Sequence, residues 1–451
     1  MAEDKDRERN RLSARLRRTA KVGSSLSGAG VAFAANRFLG GDEGDERTAR
    51  ALAAALGKTK GPLMKVAQIL STIPDLLPPE YADELSQLQA QAPPMGWAFV
   101  KRRMRAELGP DWQEKFTDFG KEAAHAASLG QVHRATLPDG REVACKLQYP
   151  DMSSAVESDV GQLKSLLGMF RRFDGSIDPE EIVEEISDRL REELDYKRER
   201  KAMNLYREML GEKDFVHIPA PVDELSTDRL LTMEWVNGQP LTAYEGASQE
   251  VRNGIAKRLY WTWWLPMTQY AVIHGDPHLG NYQVTNGGEG LNLLDFGCIR
   301  IFPPNFVGGV VDLYRAIRAD DFDAAYAAYE KWGFKNLNKD LVEVLNIWAR
   351  FIYGPLLEDR VRSVADGVAP GEYGREQAFE VRKKLKEKGP VTIPREFVFM
   401  DRAAIGLGAA YIRLGAEINY HQLFEESLEG FSEETVAARQ ADVLSKAGLN
   451  V

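Results

Sequence analysis

Apolar positions follow two periods along this chain, and the change of period marks its elements. Ile182, Ile186, Leu190 and Leu194 recur at every fourth position, which is one face of a helix. Asp178-Pro179-Glu180-Glu181 precedes them and supplies a capping side chain, a first-turn proline and an early glutamate. Residues 142–149, Glu-Val-Ala-Cys-Lys-Leu-Gln-Tyr, follow the turn Leu137-Pro138-Asp139-Gly140 and read as the second strand of a hairpin. Residues 229–236, Arg-Leu-Leu-Thr-Met-Glu-Trp-Val, read as a further strand ending at Asn237-Gly238. Past residue 297, mixed Ala, Leu and aromatic periodicity to about residue 435 predicts helices, including Phe322 to Trp332 and Ala403 to Tyr420. Trp261, Trp263 and Trp264 lie on an aromatic helical stretch and are expected in the core, where aromatics dominate packing. No internal repeat interrupts this order.

The candidate chemistry sits between the strand-rich and helical parts. His274-Gly275-Asp276-Pro277-His278-Leu279-Gly280-Asn281 is turn-rich, and Leu293-Leu294-Asp295-Phe296-Gly297 follows. A hard cation such as Mg²⁺ takes carboxylate and amide oxygens and keeps waters and phosphates as its other ligands. Asn281 and Asp295 offer such oxygens, and Asp276 offers a base. Kinase-fold enzymes use a catalytic-loop Asp, a catalytic-loop Asn and the Asp of a DFG turn in this way. Asp-Phe-Gly alone is a weak signal, but joined to HGDPHLGN nineteen residues upstream (Asp276 to Asp295) it is strong. Lys146, on the predicted strand, stands where the kinase VAIK lysine holds the α- and β-phosphates. On the acidic helix, Glu193 and Asp195 end the apolar stripe, and Glu193 is favoured as the partner that orients Lys146. Most of Arg189 to Lys201 reads as a solvated charge run.

Ahead of the hairpin, Ala123-Ala124-His125-Ala126-Ala127-Ser128-Leu129-Gly130-Gln131-Val132-His133 occupies the place of a glycine-rich phosphate loop. It has alanines where glycines would let the backbone approach phosphates. Ala126, Ala127 and Ser128 are therefore the expected nucleotide-facing positions, with handling unlike that of an ordinary protein kinase.

These marks together resemble the UbiB/ABC1/ADCK (AarF-type) family of atypical protein-kinase-like proteins: the alanine loop, Lys146, Glu193-Leu194-Asp195, HGDPHLGN and DFG. The specific motifs cover roughly residues 50–300. The resemblance implies an α+β, bilobal protein-kinase-like fold with a small β-rich N-lobe, a helical C-lobe and an N-terminal helical extension over the active site. It implies ATP and Mg²⁺ as cofactors, and a Mg-dependent ATPase or small-molecule phosphotransferase supporting ubiquinone (coenzyme Q) biosynthesis. Two alternatives stay open: a pseudokinase-like nucleotide-dependent regulator of a quinone-pathway or lipid-associated complex, and a protein kinase. The family's KxGQ motif is matched by Lys65-Val66-Ala67-Gln68 with Ala67 in the glycine position. By resemblance, Lys65 and Gln68 reach into the cleft and contact the carboxylates at Glu193 and Asp195. Glu234 and Val236 fall where the hinge backbone would recognise adenine. Leu279 stands where the family usually has proline. The expected organisation is a basic N-terminal tail or helix over 1–45 and the helical extension over 46–115. An N-lobe over 116–236 and a C-lobe over 237–451 follow.

Composition narrows the partners. A net charge of −10 argues against a general nucleic-acid binder. Two cysteines, Cys145 and Cys298, are too few for a disulfide scaffold or zinc site and fit a reducing compartment. No run of eighteen apolar residues is present, so a spanning helix is not expected. Arg7 to Lys21 is strongly basic and precedes a small-residue stretch, Val22 to Leu39. That pattern suits peripheral contact with anionic lipid, and equally a mobile basic tail or a helix packed on the core. The expected location is cytoplasmic, at most peripheral at the inner face of the membrane, with nucleotide and a lipid or quinone precursor as small-molecule partners.

Overall fold

The structure, a computed structural model, describes residues 95–126, 129–158, 160–161, 187–188, 190–276, 278–366, 381, 384 and 394–449. Lys65, Gln68, the basic segment 7–21, the helix start at Asp178, Ala127 and Ser128 lie outside the described residues. The chain divides into two compact units. One comprises the described residues up to Arg198 together with Pro221–Trp235, and the other comprises Glu199–Ala220 together with residues from Val236 onward.

The first unit opens with helix α1 (Trp97–Leu108). Strands β1 (Asp118–Phe119), β2 (His125–Ala126), β3 (Gly130–Thr136) and β4 (Glu142–Gln148) follow. The chain runs through helix α2 (Tyr196–Leu210) and strand β5 (Val216–His217) and returns to the sheet as β6 (Leu230–Glu234). The sheet order is β1-β3-β4-β6, with β2 also paired to β3, and every pairing is antiparallel. At the β3–β4 turn, the Gly140 N–H donates to Leu137 O at 2.9 Å, and Gly140 takes φ +86°, a left-handed value that glycine adopts without strain. Asp139 accepts from the Arg141 main-chain N–H at 3.0 Å and from its guanidinium at 2.7 Å, which holds the Asp139 carboxyl below its ordinary range. Apolar alternation on β4 explains its burial: Val143, Cys145 and Leu147 join Phe99, Val100 and Met104 of α1, with Trp112 and Tyr149, in one core.

A buried polar cluster fixes α1 on this sheet. Arg103, 3% exposed, donates to the carbonyls of Gln148 and Tyr149 at 3.2 and 3.3 Å. Glu107 pairs with Arg103 at 3.4 Å and with Arg229 at 2.9 Å, and accepts from the Thr227 hydroxyl at 2.7 Å. A buried charge left unpaired would cost several kcal/mol, on the order of 3–5 kcal/mol, so these partners act as a set.

The second unit continues with β7 (Gln239–Pro240), helix α3 (Gln249–Tyr270), β8 (Val272–His274), β9 (Tyr282–Thr285), β10 (Gly290–Leu293) and β11 (Ile299–Ile301). One sheet has the order β5-β10-β9-β7, parallel only at β10–β5, while β8 and β11 form a separate antiparallel pair. Helices α4 (Pro304–Ala319), α5 (Phe322–Trp332), α6 (Lys339–Leu357), α7 (Arg395–Leu414), α8 (Tyr420–Ser427) and α9 (Glu433–Ala447) complete it. Side chains of Ser248, Asp321, Asn338, Asn419 and Ser432 cap α3, α5, α6, α8 and α9.

Four sequence expectations change. Ala403 to Tyr420 is not one helix, because Gly415 takes a left-handed C-cap and Asn419 starts α8. Among the described residues near the end of the expected stripe, helix reaches Glu192 and no further; Glu193 and Leu194 form a turn, with Asp195 N–H donating to Glu192 O at 2.9 Å. Within the expected charge run, Glu199 is buried at 2% exposure. Of the three tryptophans, Trp263 is in the core at 1% exposure, while Trp261 and Trp264 are half-buried.

Candidate active site

The oxygen-bearing residues of the second unit are gathered by backbone geometry. β8 delivers His274 and β11 begins at Ile299, opposite it in register, so the segments after β8 and before β11 lie side by side. Gly275 N–H donates to Cys298 O at 3.0 Å, and a Cβ at Gly275 would stand 2.6 Å from that oxygen, which only glycine avoids. His274, 2% exposed, donates through Nε2 to the Asp295 carbonyl. Its own carbonyl accepts from Trp263 Nε1 at 3.2 Å. The DFG backbone is thus tied to β8 and, through Trp263, to α3.

The loop is also tied to itself. Asn281 ends a short 3₁₀ turn, Leu279–Asn281, and its Nδ2 donates to Asp276 O at 3.0 Å. Leu294 N–H donates to Asn281 O at 3.0 Å. Gly297 N–H donates to an Asp295 carboxylate oxygen at 2.9 Å, which sets the rotation of that carboxyl. Asp276, Asn281 and Asp295 are all half-buried. Burial pushes the Tyr282 phenol up, and the neighbouring Asp276 charge pushes it further, so the phenol stays neutral beside that aspartate.

These groups fit a phosphate-borne magnesium. Among the described residues no group of three or more His, Cys, Asp or Glu side chains is arranged as a metal site. Mg²⁺ carried on a nucleotide needs fewer protein ligands, one or two oxygens, because phosphates and water complete its octahedron. With Nδ2 committed to Asp276 O, Asn281 presents its amide oxygen as the other end of the side chain, and Asp295 supplies the charge.

In the first unit, Lys146 lies on β4, flanked by β3 and β6, opposite Val132 and Leu231. It is half-buried, and its ammonium lies 5.3 Å from the centre of the Tyr196 ring. Glu193 sits in the turn before α2 and is half-buried. Gln148 Nε2 donates to Leu194 O at 3.0 Å, which holds that turn against β4. Asp195 is exposed, and its carboxylate accepts from Arg198 N–H at 3.0 Å, the N-cap position of α2. Ala126 is exposed on β2, opposite Gln131.

At the end of β6, Trp235 N–H donates to Glu142 O at 3.0 Å. Antiparallel ladders alternate, so at Glu234, opposite Val143, the N–H and C=O point away from β4. Val236 follows, half-buried, at the division between the units. Trp235 itself stacks with His125 at 6.1 Å and lies under the Arg134 guanidinium at 5.0 Å.

Sequence reasoning missed Gln148, Tyr196 and the hydrogen bond of Trp263. Tyr196 adjoins the acidic motif and Gln148 follows Lys146 by two, so both were near the signal. Their partners are 46 residues away in the case of Gln148 and Leu194, and spacing does not reveal such a contact.

The ABC1 atypical kinase-like domain model matches residues 87–328, more than half of the chain. The atypical kinase COQ8B, mitochondrial, of Rattus norvegicus is 30% identical over 333 residues, covering 71% of this chain and 63% of its own length. The chain therefore spans less than two thirds of that relative. The atypical kinase COQ8, mitochondrial, of Saccharomyces cerevisiae is 28% identical, covering 92% of this chain and 85% of its own length. A Mycobacterium tuberculosis structure, the Rv3197–erythromycin complex, has a TM-score of 0.61 at 26% identity and covers 85% of this chain and 96% of its own. The fold is of the kinase-like α+β class, and such a family implies nucleotide binding. No helix among the described residues is long and apolar enough to cross a membrane. With its motifs and the extent of the domain match taken together, the chain belongs to the ABC1 family of atypical kinase-like proteins.

Proposed function

We propose that this protein binds Mg-ATP and transfers its terminal phosphoryl group to water or a small-molecule hydroxyl, in support of ubiquinone biosynthesis. The observation that carries the reading is the knitted loop in which Asn281 bonds Asp276 and the His274 ring bonds the Asp295 backbone. Such preorganisation is what phosphoryl transfer demands, because catalysis there is mainly positioning and charge stabilisation.

In this reading Lys146 contacts the nucleotide phosphates and Glu193 orients it. Asn281 and Asp295 hold the magnesium, which neutralises charge on the phosphates when bound. Asp276 accepts the hydrogen bond of the attacking O–H, aligns that oxygen and takes its proton as the new O–P bond forms, while the bond from the terminal phosphorus to the β-phosphate oxygen breaks and ADP leaves. Glu234 and Val236 meet the adenine through their main chain, and Ala126 to Ser128 cover the phosphates. Lys65 and Gln68, with Asp195, restrict access by bulky substrates. The pathway rests on relatives named COQ8 and on the family resemblance, and a peripheral lipid contact would come from the basic segment 7–21.

Phosphate release by the purified chain with Mg-ATP, beside Asp276→Asn and Asp295→Asn, tests it. Turnover in the wild type that falls to background in both variants supports the enzyme. Equal background rates in all three, with nucleotide still bound, would favour a nucleotide-dependent regulator.

A further inference from the structure

We propose that Gln148 is a positioning residue: its side-chain amide clamps the Glu193–Leu194 turn onto β4 and so, with the Tyr196 ring, fixes where the Lys146 ammonium stands. The inference rests on the reading that Lys146 contacts nucleotide phosphates. It lies wholly within the first unit.

Residues 146 and 148 share a face of β4, since side chains alternate along a strand. Gln148 is 3% exposed, an unusual place for an amide unless its hydrogen bonds are met. Its Nε2 donates to Leu194 O at 3.0 Å, the carbonyl directly after Glu193. Its main chain is equally committed: the N–H donates to Arg229 O at 3.1 Å, and the C=O accepts from Arg103 Nε at 3.2 Å. The amide therefore springs from a rigid point, and the turn, not the strand, is what it restrains.

One residue past that turn comes Asp195, and then Tyr196, 2% exposed, whose ring lies under the Lys146 ammonium. A cation over an aromatic face is attracted electrostatically. Tyr196 can occupy this place because Gly130, opposite Gln148 in the β3–β4 register, carries no side chain. A Cβ at Gly130 would stand 2.3 Å from Leu147 O and 3.1 Å from the Tyr196 hydroxyl. Gln148, Tyr196 and Gly130 thus form one assembly around the lysine. An apolar residue at 148 would fill the same buried space, and only the amide adds the tie to Leu194.

The test uses the full chain and measures the Kd of a fluorescent ATP analogue with Mg²⁺, together with thermal unfolding. Gln148→Leu and Tyr196→Leu are expected to weaken nucleotide binding about tenfold, the effect of one such interaction lost. Tyr196→Phe, which keeps the ring, recovers affinity relative to Tyr196→Leu. A purely structural role would lower the melting temperature of Gln148→Leu and leave its Kd at the wild-type value, and that result overturns the inference. If Gln148→Leu does not fold, Tyr196→Leu against Tyr196→Phe decides, and equal Kd values for the two overturn it. Lys146→Met separates the two levels. Wild-type affinity in Lys146→Met sinks the nucleotide reading itself, whereas lost affinity there with wild-type affinity in Gln148→Leu sinks only the role of Gln148.

Discussion

The Asn281 amide donates to the main-chain carbonyl of Asp276 at 3.0 Å, so the residue proposed to hold the metal also sets the backbone of the residue proposed as the base. On the proposed reading one substitution disturbs two roles: Asn281→Ala would remove an oxygen from the magnesium set, and it releases the Asp276 carbonyl from its amide partner. Displacement of a catalytic group by about 1 Å costs on the order of 10²-fold in rate. Phosphate release by Asn281→Ala is expected to fall at least that far, with little change in melting temperature, because the loop is half-buried.

Asp195 is a helix cap in this structure, and capping separates stability from regulation. Asp195→Ala leaves the Arg198 N–H without its acceptor and is expected to cost about 1 kcal/mol in urea unfolding. Asp195→Asn keeps an acceptor and stays within a few tenths of the wild type. A change in ATP turnover by Asp195→Asn at unchanged stability would be the mark of the restraining role implied by the family.

His133 makes the first unit sensitive to acid. Its Nδ1–H donates to Gly120 O at 2.8 Å, and its Nε2 accepts from the Gln131 amide at 2.8 Å, a pattern that needs the neutral ring. Burial lowers its pKa below the ordinary 6.5, against hydrogen bonds to Gly120 and Glu122 that raise it. The unfolded chain therefore binds the proton more readily than the folded one, and stability falls as pH falls. The contribution is complete above about pH 6.5 and is lost as pH drops from there through the lowered native value. The difference in unfolding free energy between wild type and His133→Gln should narrow between pH 8 and pH 5.

Gly309 marks where α4 and α5 pack without spare room. A Cβ there would lie 2.1 Å from Cδ1 of Trp332, whose Nε1 donates to Phe306 O at 2.7 Å. Gly309→Ala must move an indole that is 5% exposed, and overpacking of this kind costs about 1–3 kcal/mol. Thermal unfolding should register the loss, while Gly354→Ala, where a Cβ meets nothing within 4 Å, should not lower stability.

Much of this molecule was legible because local chemistry is written locally. The β3–β4 hairpin was readable from Pro138-Asp139-Gly140, and the strand ending at Glu234 from its β-rich run before Asn237-Gly238. The kinase-like class was readable from the order of Lys146, Glu193, Asp276, Asn281 and Asp295. The break at Gly415 was present in the letters yet outweighed by the helical periodicity around it. Glu199 was misplaced among solvated charges because helix periodicity does not say which neighbour covers a face.

The sequence by itself determined the chemical inventory, meaning which atoms can hold phosphate, bind magnesium or accept a proton, since these follow from residue type and short spacing. Only the tertiary structure decided that the Gln148 amide reaches Leu194, that Tyr196 lies under Lys146 and that the His274 ring bonds Asp295. Those contacts join segments separated by 21 to 50 residues, and distances of that kind are fixed by chain packing, which local spacing does not encode.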